Sequence, residues 1–302
     1  MSHHSRVTRR LGLKTAVAAA VTLPLSSTAL SLQHASAADR HDRHLEVMTF
    51  NLRRAGSAKP PDIWAVRRPV MRTLLRRERP HVLGTQEGLY APVRDIAADL
   101  GADYAWIGTG RAGGSRDEFV TVFYDTRRLA PVEYDHFWLS GTPDVIGSNT
   151  WGGACTRMVT WVRFRDLRRE GQEFYVLNTH LDNASQYARA RAAGLIAHRI
   201  SRLDRSLPLV VTGDFNAAAH KNPVYDTMLG AGLVDTWDTA VERTELYGTF
   251  HGYRPLKPYG DRIDWILATP GVRAHWASVN SFSLDGQFPS DHLPVQASLT
   301  LG

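Results

Sequence analysis

The stretch 173-EFYVLNTHLDNASQYARARAAGLIAHRISRLDRSLPLVVTGDFN-216 contains two short apolar runs separated by a longer segment of different character. EFYVLNTHL (173–181) and LPLVVTGDFN (207–216) are dense in β-formers and read as buried strands. Between them, residues from about Ser185 to Leu203 carry ARARAAG and read as a helix. Both strands end on polar residues: His180 closes the first, and Asp214 with Asn216 closes the second.

The same reading extends in both directions. HLEVMTFNL (44–52), HVLGTQE (81–87), FVTVFYD (119–125), VEYDHFWL (132–139) and TRMVTWVRF (156–164) are further strands. Beyond residue 216, DRIDWILAT (261–269) and HLPVQASLT (292–300) complete the set. Helices are expected over 62–80 and 91–100. The first has Ile63, Val66, Val70 and Leu74 at helical spacing, Pro69 as an irregularity, and an arginine-rich stretch read as a solvated face. Some strands follow one another as hairpins and others are separated by helices, which implies a mixed sheet system with helices outside it.

The strand ends carry the chemistry. Asn51, Glu87, His180, Asp214 with Asn216, Asp264, and Asp291–His292 beside the last strand are all oxygen or imidazole donors. Ends of strands gather at one rim of a sheet, where side chains from distant segments can converge. Oxygen donors with no cysteine among them suit a hard cation, Mg²⁺ or Mn²⁺, rather than a zinc site. The two histidines read better as proton carriers than as ligands, because imidazole titrates near neutrality.

In order along the chain, TFNLR, TQEG, NTHLD, TGDFN, RIDWIL and PSDHLPV resemble the motif series of the endonuclease/exonuclease/phosphatase superfamily, over about residues 44 to 300. PSDHLPV and GTQEG are nearest its deadenylase/nocturnin-like branch. The resemblance implies a four-layer α/β/β/α sandwich of two mixed sheets flanked by helices. It implies Mg²⁺ (Mn²⁺ possible) held by Glu87, with Asn51 and Asp291 near the metal. Asp214 and Asn216 would orient the attacking water and a phosphate oxygen. His292, paired with Asp264, would be the general base or electrostatic partner. His180 would bond a phosphate oxygen or assist the leaving group. Glu118 resembles an acid that supports this histidine, and Arg157 resembles an arginine that reaches the phosphate.

Bulk properties narrow the substrate. The chain has 302 residues, 43% of them hydrophobic, enough for a large core. Thr8–Lys14 (TRRLGLK), an uncharged apolar run and ASA (35–37) read as a twin-arginine signal peptide over 1–37, preferred to a membrane anchor because Pro24 and serines interrupt the run. The remainder, 38–302, is one catalytic domain without a linker, expected to be secreted, monomeric and without a stable membrane anchor. The formal charge of +6 includes Arg6, Arg9, Arg10 and Lys14, so the mature chain carries only +2. A near-neutral chain does not advertise a polyanion-binding surface. Cys155, the single cysteine, permits no intramolecular disulfide and reads as a small buried residue. Loops 108–118, 140–153 and 247–262 offer Trp151, Phe250, Tyr253 and Tyr259 as candidates to stack on substrate. The expected activity is phosphoester hydrolysis on a phosphorylated small molecule, nucleotide or nucleic acid. A DNase/RNase-type endonuclease, a sphingomyelinase-type phosphodiesterase and a non-catalytic binding protein are the rival readings.

Overall fold

Alternation along single strands builds the layers. The computed structural model describes residues 44–302; the expected signal peptide over 1–37 lies outside them. In β1 (Leu45–Asn51), Leu45 and Val47 enter one apolar cluster while Met48 and Phe50 enter another. Successive strand residues face opposite sides, so one strand serves two cores.

The first half of the described chain continues with α1 (Trp64–Glu78), β2 (Val82–Gly88), α2 (Tyr90–Leu100), β3 (Tyr104–Ile107) and β4 (Phe119–Asp125). Next come β5 (Leu129–Trp138), β6 (Met158–Asp166), β7 (Glu173–His180), α3 (Gln186–Ile200) and β8 (Leu209–Asp214). The last part holds α4 (Pro223–Gly230), β9 (Val234–Asp235), α5 (Thr236–Thr239), β10 (Glu242–Arg243), β11 (Asp264–Ala268), β12 (Arg273–Val279) and β13 (Val295–Thr300).

These strands form two sheets, in the orders β10-β12-β13-β1-β2-β4-β3 and β5-β6-β7-β8-β11-β9. Most pairs are antiparallel, but β1–β2, β7–β8 and β10–β12 are parallel, the first two joined through a helix, so both sheets are mixed. Val47, Val82, Val176, Val210 and Ile266 pack between the sheets. Met71, Leu74, Leu75, Val93 and Ile96 of α1 and α2 cover the outer face of the first sheet. Ala192, Ala193, Ile196, Val224 and Met228 of α3 and α4 cover the second. The result is the α/β/β/α sandwich expected from sequence.

Helix α3 starts where Ser185 caps it, its hydroxyl accepting from the Ala188 amide at 3.2 Å. Pro69 sits inside α1 without ending it. The solvated reading of that helix fails at one position: Arg67 is fully buried, and Val66 is exposed instead. Among the described residues no helix is long and apolar enough to cross a membrane.

Candidate active site

The register of three neighbouring strands creates the centre of the site. His180 of β7 pairs with Asp214 of β8, which pairs with Asp264 of β11. Residues in one cross-strand row share a face, and this row faces the opposite sheet. Asp264 opens β11 rather than closing it. Because β11 runs antiparallel to β8, its first residue still meets the last residue of β8.

From the opposite sheet, Asn51 reaches across at the end of β1. Its Nδ2 donates to Asp214 Oδ2 at 2.9 Å and to Glu87 Oε1 at 3.0 Å, and its Oδ1 accepts from the Arg53 amide at 2.9 Å. Simple alternation would turn Glu87 away from the inner face that Gln86 occupies. A bulge between Thr85 and Gly88, with Glu87 at φ 62°, redirects it. Left-handed backbone recurs nearby at Arg53 (φ 57°) and Asn216 (φ 48°), a concentration of local strain typical of functional sites.

The turn before β13 supplies Asp291 and His292. His292 Nδ1 lies 2.9 Å from Asp264 Oδ2, and its Nε2 lies 3.8 Å from Asp214 Oδ2. His180 Nε2 lies 3.1 Å from Asn216 Nδ2 and 3.4 Å from Asp214 Oδ2. Of the ten residues singled out in the sequence, these contacts join seven, Asn51, Glu87, His180, Asp214, Asn216, Asp264 and His292, and Asp291 adjoins the last of them.

The two histidines are driven in opposite directions. Burial disfavours the charged form of His292, but Asp264 and Asp214 overcome it and raise the imidazole to about 10. His180 is held well below its ordinary value by burial, reinforced by Arg157 and His292. At neutral pH one ring is a cation and the other neutral. Asp214 is pushed up to about 7 by burial and by Asp264, against the pull of His292 and Asn51. Burial also raises Glu87, yet the bonds from Asn51 and the Arg54 amide outweigh it and hold this carboxyl below its usual range.

The donor set fits a hard divalent cation on the Glu87 side. Asp291 is raised by burial and by the charge of Glu87, although His292 and Arg53 oppose this. A dication bound between two such carboxylates would relieve their repulsion. Asp214, Asp264 and His292 also present ligand atoms within 4.8 Å of one another. There the imidazole is already held by Asp264, and Mg²⁺ prefers oxygen donors. A second grouping, His220, Asp235 and Asp238, is held together by Tyr225 and Arg262: Tyr225 Oη donates to Asp238 Oδ2 at 2.9 Å, and Arg262 NH2 donates to Asp235 Oδ2 at 2.7 Å.

Glu118 and Arg157 line one cleft with Glu87, Arg111 and His180. Glu118 is held by Arg111 NH1 at 2.8 Å and Arg54 Nε at 3.2 Å, while His180 is oriented by Asn216 and Asp214. Arg157 NH2 donates to Asn183 Oδ1 at 3.1 Å, leaving its buried Nε without a partner. The loop aromatics divide. Trp151 lies under the Arg191 guanidinium, and Tyr253 Oη donates to Asp62 Oδ1 at 3.4 Å. Phe250 and Tyr259 stay exposed, with the Phe250 ring 5.0 Å from that of His292. Cys155 is half-buried rather than fully buried.

Behind the charged row lies a polar layer that motif reading did not reveal. Asn178 Nδ2 donates to the carbonyls of Thr85 (2.8 Å) and Thr121 (2.9 Å) on the opposite sheet. Its Oδ1 accepts from Gln86 Nε2 at 2.8 Å and Thr212 Oγ1 at 3.1 Å. Gly84 makes this closeness possible. A Cβ there would stand 2.7 Å from Asn178 Oδ1 and closer still to Thr212 Oγ1. Alternation back from His180 and Asp214 was the available signal, since Asn178 and Thr212 precede them by two residues on the same face.

The family model described as endonuclease/exonuclease/phosphatase family matches residues 48–292. Comparison with curated proteins gave no match. Among solved structures, a mannosyl-6-phosphatase of Bacteroides thetaiotaomicron is 32% identical, covering 85% of this chain and 99% of its own, with a TM-score of 0.79. An endonuclease/exonuclease/phosphatase from Bacteroides vulgatus is 29% identical over 86% of this chain and 99% of its own, at a TM-score of 0.80. The human nocturnin catalytic domain shares the fold at 17% identity, covering 86% of this chain and 95% of its own, with a TM-score of 0.67.

Proposed function

The chain belongs to the endonuclease/exonuclease/phosphatase family and is a metal-dependent phosphoric ester hydrolase, and from that premise we propose that it is exported and uses Mg²⁺ to release phosphate from a sugar-sized phosphomonoester. The observation that carries the reading is the row His180–Asp214–Asp264, joined through Asn51 to Glu87 and through Asp264 to His292. Glu87, Asn51 and Asp291 would hold the cation, which when bound supplies charge neutralisation for the phosphoryl oxygens.

The protein's own groups account for the rest. Asp214, raised to about 7, is matched to take a proton from the attacking water near neutral pH. The Asn216 amide, beside both Asp214 and His180, orients that water. His292 stays an imidazolium between Asp264 and Asp214, so it presents charge to a phosphoryl oxygen instead of accepting a proton. Neutral His180 and Arg157 line the same cleft, where they bond the phosphate and the departing oxygen.

Two observations favour a small substrate over a nucleic acid. The 32%-identical relative is a mannosyl-6-phosphatase. Three cations near the rim are committed internally: Arg53 to Asp62 and Asp291, Arg111 to Asp117 and Glu118, and Lys221 to Asp261. A polyphosphate backbone needs several free ones. The exposed ring of Phe250 beside His292 offers a sugar an apolar face to rest on.

The test is a substrate panel with Mg²⁺ present: a hexose 6-phosphate, p-nitrophenyl phosphate, bis-p-nitrophenyl phosphate, plasmid DNA and sphingomyelin. Release from the two monoesters should dominate. Faster cleavage of a diester would overturn the substrate assignment, and inertness towards all five would favour a binding protein. Export is checked by fractionating cells that make an Arg9→Lys, Arg10→Lys double variant. It should remain inside, and undiminished export would contradict the twin-arginine reading.

A further inference from the structure

We infer that Arg67 is a positioning residue for the active site, clamping into one block the two chain segments that carry Asn51 and Asp291–His292. The inference rests on the reading of this rim as a metal-dependent phosphoesterase site. Arg67 projects from α1 into the protein and is fully buried. NH1 donates to Leu52 O at 2.7 Å and Pro289 O at 3.1 Å, NH2 to Arg53 O at 3.0 Å, and Nε to Asp62 O at 3.0 Å. Its nearest carboxylate oxygen, on Asp62, is 3.7 Å away. The guanidinium therefore acts chiefly as a fork of donors to backbone carbonyls, a geometry a lysine cannot reproduce.

The carbonyls it holds are those that set the site. Leu52 and Arg53 follow Asn51 directly, and Arg53 is in the left-handed region at φ 57°. That kink brings the Arg53 amide onto Asn51 Oδ1, which leaves Asn51 Nδ2 to bond Glu87 and Asp214. On the other segment, every carbonyl from Pro289 to Asp291 is bonded. Arg67 takes the first, His251 Nε2 the second at 3.1 Å, and the amides of His251 and Gly252 the third. The Ser290 hydroxyl adds a 2.7 Å bond to Asn51 O, so the two segments are stitched directly as well. Arg67 is the side chain from a third element that bonds both at once.

Four proteins test this: wild type, Arg67→Lys, Arg67→Met and, as control, Arg128→Lys. Arg128 is also buried, but it bonds His44 O and Asp166 at the other end of β1. The readouts are Mn²⁺ affinity by paramagnetic resonance titration, kcat and KM on p-nitrophenyl phosphate, and amide exchange over 51–54 and 289–293. Arg67→Met should weaken Mn²⁺ binding and lower kcat by about 10–100-fold each, with KM within about threefold. Arg67→Lys should be intermediate, keeping the inference testable if the methionine variant does not fold. Arg128→Lys should lose thermal stability yet keep Mn²⁺ affinity and kcat. Wild-type affinity and exchange in the Arg67 variants, or the same losses in Arg128→Lys, would overturn the inference. Joint loosening of both segments beside an inert wild type would support the clamp and overturn the phosphoesterase reading alone.

Discussion

The same strands meet across the sandwich in two chemically opposed ways. Along one stretch the contact is Val176, Val210 and Ala268 against Val47 and Val82. Two residues further along come Asn178 and Thr212, and two further still His180, Asp214 and Asp264. The inner layer thus grades from apolar through neutral polar to charged over three rows. Burying apolar surface stabilises the fold, whereas burying two facing carboxylates opposes it. The apolar rows hold the sheets together firmly enough to keep an unfavourable set of charges within reach of substrate. The neutral row insulates one from the other by satisfying every bond that Asn178 can make.

Breaking the charged row should give the largest effect. Asp214→Asn keeps the shape and removes the proposed proton acceptor, so kcat should fall by about 10²–10⁴-fold. Its thermal midpoint should hold or rise, because Asp264 loses a like-charged neighbour. A variant with near-native kcat, measured on p-nitrophenyl phosphate, would remove Asp214 from the chemistry.

The apolar rows should respond in the opposite sense. Phe174, two residues before Val176 on the same face of β7, is buried between the sheets. Phe174→Ala should lower unfolding stability by about 3–5 kcal/mol while leaving kcat per folded molecule unchanged. Denaturant unfolding and active-site titration measure the two quantities. A loss of kcat without loss of stability would erase the distinction between the rows.

The neutral row should show both effects, each smaller. Gly84→Ala forces a methyl against Thr212 and Asn178, and overpacking of this kind costs about 1–3 kcal/mol. It should also lower kcat, since Asn178 bonds the carbonyl of Thr85 at the bulge that aims Glu87. Full activity with lost stability would limit that row to packing.

The smallest effect is a pH slope. His292 stands at about 10 in the folded protein against an ordinary value of about 6.5. Its stabilising share is complete below the lower value and is lost as pH rises through the higher. Asp214, raised from 3.8 to about 7, acts in the same direction at lower pH. In metal-free protein the thermal midpoint should fall between about pH 6.5 and 10, and His292→Ala should flatten that fall. A midpoint that climbs over this range would contradict the charge assignment.

How much was legible beforehand depends on the scale of the cause. The sandwich and the polar strand ends follow from local alternation and motif order, which a sequence displays directly. Short elements such as β3 and β9 do not, because four residues or two carry no periodicity. Glu87 was identifiable as an acid at a strand end, but the bulge that turns it inward depends on pairing with β4. Arg67 was hidden by its arginine-rich surroundings, although it lies three and four residues before buried Val70 and Met71 and so on their face of α1. Its partners at 52, 53 and 289 are distant in sequence, and only the folded chain brings them to one guanidinium.

If the charged end of the sandwich is a metal-dependent phosphomonoesterase site, the protein should release phosphate from a hexose 6-phosphate only with its cation. The protein would be dialysed against EDTA, and Mg²⁺ then added back stepwise. No release is expected before addition, and activity should return saturably with Mg²⁺. Undiminished release without the cation, or none at any concentration, would contradict that assignment.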